Sequence, residues 1–124
     1  QFALYDGSLN PQRRIDGPDC LRPSFRVSDG VVTFDKQIPY GYRSYALGTD
    51  CIYLVYIGSF LSEDGNLQDF DSYIFQIGWD GRLVKSFHSE HYLGSLSVSS
   101  DGETFFCRSF DSDGSIILLK LTAD

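Results

Sequence analysis

Asp-Gly occurs seven times in this chain: Asp6-Gly7, Asp16-Gly17, Asp29-Gly30, Asp64-Gly65, Asp80-Gly81, Asp101-Gly102 and Asp113-Gly114. The dipeptide suits the positive φ angles of tight hairpin turns, because glycine has no Cβ to clash and aspartate bonds readily to nearby backbone. Several of the pairs separate short runs of β-branched, aromatic and aliphatic residues. No stretch carries a sustained 3.6-residue apolar repeat with capping residues. The expected fold is therefore all-β, built from antiparallel strands, with almost no helix. Aromatic residues at 15% and twelve glycines point the same way.

The expected strands cover residues 2–5, 12–15, 31–34, 42–47, 51–57, 72–78, 82–87, 93–98, 103–109 and 115–121. A connector holding Pro18 and Pro23 surrounds the short strand 31–34, and residues 58–71 read as a polar loop. Ile52, Leu54, Ile74, Phe75, Leu96, Val98, Phe105, Ile117 and Leu119 are the expected core. A weak internal repeat relates Tyr45-Ala46-Leu47-Gly48-Thr49-Asp50 to Leu96-Ser97-Val98-Ser99-Ser100-Asp101. The offset of about 50 residues is the length of a propeller blade, and each blade is four antiparallel strands. On this reading residues 1–41 end one blade and add a connector. Residues 42–87 make a complete blade. Residues 93–121 make a final blade without its fourth strand, for a total of about two and a half blades. The strand at 115–121 then has a free, apolar edge. That edge is expected to pair with the remaining blades of the same protein or with a second copy. The chain begins at Gln1 and has no Met, so it is expected to be part of something longer.

At 42% hydrophobic and 22% charged, the 124 residues are not those of a disordered chain. The net charge of −7 argues against a sequence-independent grip on nucleic acid phosphates or an anionic membrane surface. No apolar run approaches the ~20 residues of a membrane span. Cys20, Cys51 and Cys107 are too few for a disulfide scaffold and lack metal-ligand spacing. Cys51 and Cys107 open onto apolar runs and read as buried thiols. A single disulfide and a reactive thiol are the alternatives.

Loop length separates two ends of such blades. The turns at 6–7, 49–50, 79–81 and 100–102 are short and fall at one end. The connections at 16–41, 58–71, 88–92 and 110–114 are longer and fall at the other, where ligands usually bind. Candidate ligand-binding residues at the long-loop end are Tyr40, Tyr42, Arg43, Tyr45, His88, Glu90, His91 and Tyr92. The tyrosines would stack on sugars or peptides, or else fill blade-to-blade packing with the hydroxyl at the rim. The acidic loop supplies Asp64, Asn66, Gln68, Asp69 and Asp71 as oxygen ligands for calcium, although the EF-hand spacing is broken and a solvated loop is the plainer reading. No other cofactor is called for. His88 and His91 lack the third histidine of a zinc site. Neither a nucleophile elbow, a P-loop nor a dinucleotide glycine pattern is present.

The stretch from Tyr42-Arg43-Ser44-Tyr45-Ala46-Leu47-Gly48-Thr49-Asp50 through Cys51-Ile52-Tyr53-Leu54-Val55-Tyr56-Ile57-Gly58 resembles a signature of bacterial TolB-like six-bladed β-propeller proteins, in which a Thr-Asp turn leads into an Ile-Tyr strand. Ile74-Phe75-Gln76-Ile77-Gly78-Trp79-Asp80-Gly81-Arg82-Leu83-Val84-Lys85 is similar to the family's Trp-Asp-Gly hairpin. Leu96-Ser97-Val98-Ser99-Ser100-Asp101-Gly102 and residues 114–121 resemble its final blade. The likeness covers roughly residues 40–121 and is weak over 1–39. It implies a non-catalytic propeller of the Gram-negative envelope, in the periplasm or at the outer-membrane surface and often lipid-anchored. Such a protein would bind a protein or glycan through its long-loop face. The alternative is a lactonase-like propeller hydrolase or lyase using channel carboxylates and calcium.

Overall fold

The structure, a computed structural model, describes residues 1–62 and 65–123. Its regular elements are eleven strands and one 3-10 turn at Leu67–Asp69. They are β1 (Phe2–Tyr5), β2 (Pro11–Ile15), β3 (Phe25–Ser28), β4 (Val31–Phe34), β5 (Ile38–Leu47), β6 (Cys51–Leu61), β7 (Ser72–Gly78), β8 (Leu83–Ser89), β9 (Ser95–Val98), β10 (Thr104–Phe110) and β11 (Ile116–Thr122). Every strand pairing is antiparallel. Four sheets result: the pair β1-β2, the pair β3-β4, the four-stranded β5-β6-β7-β8 and the three-stranded β9-β10-β11. The architecture is all-β, as the sequence predicts. Among the described residues no helix is long and apolar enough to cross a membrane.

Three of the Asp-Gly pairs build one and the same turn, at 78–82, 99–103 and 111–115. In each, the glycine N–H donates to the carbonyl three residues back, at 2.8 Å for Gly81, 2.9 Å for Gly102 and 3.0 Å for Gly114. Each glycine is left-handed, with φ of 81°, 75° and 83°. The preceding aspartate accepts the N–H two residues on: Arg82 at 3.0 Å, Glu103 at 3.0 Å and Ser115 at 2.8 Å. Among the described residues only Asp29-Gly30 has both residues at positive φ and joins its strands as a two-residue hairpin. In the β1–β2 turn the left-handed residue is Leu9, at φ 62°, not Gly7. Gly17 makes no hairpin; a Cβ there would collide with the Tyr56 ring.

The strands depart most from the sequence reading in two places. The strand at 31–34 does not stand alone in a connector but pairs with β3 across Asp29-Gly30. The loop expected at 58–71 starts later, because β6 continues to Leu61 and pairs there with Ile38 of a longer β5. Gly58 reads as a strand terminator, yet its left-handed φ of 73° lies at a break in register, where Tyr40 pairs with Ser59 and Tyr42 with Tyr56. Glycine marks a β-bulge here.

β6 is paired on both sides and buried on both faces, which is why it reads as a continuous apolar run instead of an alternating one. Its Cys51, Tyr53, Val55 and Ile57 join Ile74, Tyr92, Leu93, Phe105 and Cys107 in one core against the three-stranded sheet. Its Ile52 and Leu54 join Ile77 in a second core, with Phe2, Ile15, Tyr42 and Phe75 packed against it. The four-stranded sheet is thus covered by β9-β10-β11 on one face and by β1-β2 on the other. Of the expected core, Ile52, Leu54, Ile74 and Phe105 are buried, and Phe75, Leu96, Val98, Ile117 and Leu119 are half-buried. Cys51 and Cys107 are buried free thiols, and Cys20 is an exposed one.

Candidate functional site

Turn chemistry sorts the loops onto two ends of the stacked sheets. At the first end, Gly48, Thr49 and Asp50 meet Ser99, Ser100, Asp101 and Gly102 around Tyr53. The Arg13 guanidinium reaches the Asp80 carbonyl at the same end. At the second end, Gln68 and Asp69 of the loop before β7 meet His91 of the β8–β9 connection and Asp111 and Ser112 of the β10–β11 turn. Together with Phe110 and Ile117 they line a depression of about 590 Å³. Its aromatic and aliphatic floor is ringed by an amide, two carboxylates, a hydroxyl and an imidazole.

The floor is held from beneath. The buried Tyr92 ring stacks on Phe110 with centroids 5.8 Å apart. The next residue, Leu93, donates its N–H to the buried Ser72 hydroxyl at 2.9 Å, which ties the β8–β9 connection to β7. His88 and Asp71 form a separate contact, Nε2 to Oδ2 at 2.8 Å, an ion pair whenever the imidazole is protonated. The His88 ring lies against Tyr73.

The residues singled out from the sequence therefore divide. Gln68, Asp69 and His91 come together in the depression. Glu90 and His91 also border a groove along β8, taken up below. Asp71 turns to His88. Asn66 precedes the 3-10 turn without a capping side-chain bond. Asp64 lies outside the described residues. Tyr92 belongs to the core. Tyr40 packs against that core, with the Arg43 guanidinium 4.3 Å above its ring centroid. Tyr42 packs on the opposite face against Phe2 and Tyr56 and donates to the Asp16 carbonyl at 3.3 Å. Burial, aided by Asp16, raises its hydroxyl above the ordinary range. Tyr45 is exposed. Among the described residues no three His, Cys, Asp or Glu side chains gather in a way that would hold a metal ion.

Phe110, Asp111, Ser112 and Ile117 line the depression although the sequence reading marks them only as loop or strand. The available signal was the length of the 110–114 connection. The connector at 16–22 is fixed at this same end through Tyr56, whose hydroxyl donates to Asp19 Oδ2 at 2.8 Å and accepts the Asp19 N–H at 3.3 Å. Burial, followed by the Asp19 hydrogen bond, pushes the Tyr56 phenol up to about 12. No family model, curated protein or solved structure matches the chain.

Proposed function

We propose that the chain is a run of blades from a six-bladed, TolB-like propeller of the bacterial envelope, and that it binds a glycan or protein through its long-loop end without catalysing a reaction. The observation that carries this reading is the depression at that end. An aromatic and aliphatic floor with polar groups around its rim suits a sugar ring, which offers C–H groups to Phe110 and hydroxyls to Gln68, Asp69 and Asp111. The face-to-face stacking of the sheets, with β9 lying beside β5, supports the blade arrangement. The tested probe is a soluble peptidoglycan fragment titrated into the 15N-labelled chain. Amide shifts concentrated at Gln68, Asp69, His91 and Phe110, and lost in Phe110→Ala, are expected. Shifts clustered at 48–50 and 99–102, or none at saturating ligand, would overturn the glycan assignment. A parallel titration with an unstructured model peptide tests the protein alternative at the same amides.

A further inference from the structure

The three-stranded sheet has one strand fewer than the four-stranded sheet it stands opposite, and Phe87 of β8 meets it edge-on at Phe105 of β10, with ring centroids 5.1 Å apart. Beside that contact lies a groove of about 520 Å³. Its floor includes Ile74, Phe87 and Phe105, and its wall is the end of β11, from Lys120 to Thr122, with Ala123 just beyond it. Among the described residues β11 pairs with β10 alone, so its outer edge carries backbone N–H and C=O groups outside the ladder. A groove with an apolar floor beside a free strand edge fits an extended segment that adds to β11 by backbone hydrogen bonds and lays alternate apolar side chains on the floor.

A segment of that description is present in the chain. Among the described residues hairpin β3-β4 pairs only with itself. Phe25 stands opposite Phe34, and Val27 opposite Val32, so all four share one face. Their exposures are 54%, 63%, 64% and 51% in that order. The two strands hold no proline and one charge, Arg26, paired with Thr33 on the other face. A two-stranded hairpin with a bare apolar face is marginal in water, and such a face marks an interaction surface.

We propose that hairpin β3-β4 of one copy adds to the free edge of β11 in a second copy, with its Phe25, Val27, Val32 and Phe34 face covering Phe87 in the groove. The contact joins two different surfaces of the same chain, so it either closes reciprocally or extends from copy to copy. It does not depend on ligand binding at the long-loop end.

Sedimentation of the full chain across the micromolar range tests this. The wild type should rise with concentration from 14.0 kDa to at least twice that mass. Val32→Asp/Phe34→Asp alters only exposed positions; it should keep the β-sheet circular dichroism and stay at the mass of one chain. A fluorescent peptide spanning residues 23–36 should then bind this variant saturably, because its groove is intact and empty. A wild type that stays monomeric overturns the proposal, as does association that survives in the variant. Peptide that fails to bind the monomeric variant overturns the groove as the receiving surface.

Discussion

Ser72 and Ser109 are buried to the same degree and differ in one hydrogen bond. Ser72 accepts the buried Leu93 N–H, whereas the Ser109 hydroxyl has no partner within the described residues. Ser72→Ala strands a buried donor and should cost about 1–3 kcal/mol. Ser109→Ala removes a hydroxyl that bonds to nothing and should change stability by less than about 0.5 kcal/mol, or raise it. Urea unfolding of the two variants measures the contrast; equal losses would mean the Leu93 contact contributes nothing. The phenols add a dependence on pH. Burial first, then the Cys51 hydrogen bond, pushes Tyr53 up to about 12, and Tyr56 reaches about 12 through burial and Asp19. The folded chain thus holds these two phenols, as it does that of Tyr42, protonated beyond the ordinary value of 10.0. Their contribution is complete below the unfolded value and is lost as pH climbs through the folded one. The urea midpoint should therefore fall between pH about 10 and about 12, and Tyr53→Phe/Tyr56→Phe should flatten that fall. An unchanged slope in the double variant would show that other groups drive alkaline unfolding.

At the scale of elements, turn positions were legible and turn types were not. Asp-Gly marks the turns after β1, β3, β7, β9 and β10 because a short carboxylate and a glycine suit a chain reversal of several types. Which residue becomes left-handed depends on loop length, and that is set by strand register across the sheet, which the dipeptide does not encode. The β1–β2 turn shows this: Asp6 caps it by accepting the N–H groups of Ser8 and Asn10 at 2.9 Å each, yet Leu9 takes the left-handed position. That conformation costs a side chain about 1–2 kcal/mol, against about 0.5–1 kcal/mol of extra backbone entropy lost by glycine. Leu9→Gly should therefore raise stability by up to about 1 kcal/mol, read as a higher urea midpoint. A lower midpoint would mean the exposed Leu9 side chain contributes packing that outweighs its backbone strain. The extension of β6 past Gly58 was hidden for a related reason. A bulge glycine and a terminating glycine are the same letter, and only the pairing of Ile38 with Leu61 tells them apart.

At the scale of the whole molecule, the core was partly legible and the site less so. Leu54 and Ile74 could be assigned inward from their runs alone. Tyr53 and Val55 belong to the continuous apolar run of β6, whereas Tyr92 and Leu93 are buried because a second sheet covers them, a tertiary fact without a local pattern. The depression draws on three connections far apart in sequence, so Phe110 and His91 could be placed near each other only through the stacking of sheets. The same layering predicts how stability is distributed. β6 and β7 are paired on both sides, and β6 is enclosed by both cores. β3 and β4 have one partner each and expose every residue. Amide exchange tracks the opening of such units, from frayed segments up to the global free energy. In dilute protein, where copies are apart, amides of residues 52–57 and 73–77 should exchange slowest, and those of 25–34 fastest among the strands. Raising the concentration should slow exchange at 25–34 and along β11, with residues 52–57 little changed. Uniform protection across all strands at low concentration would contradict this gradient. It would mean that the β3-β4 hairpin is stabilised within a single chain, leaving its apolar face no reason to seek a second one.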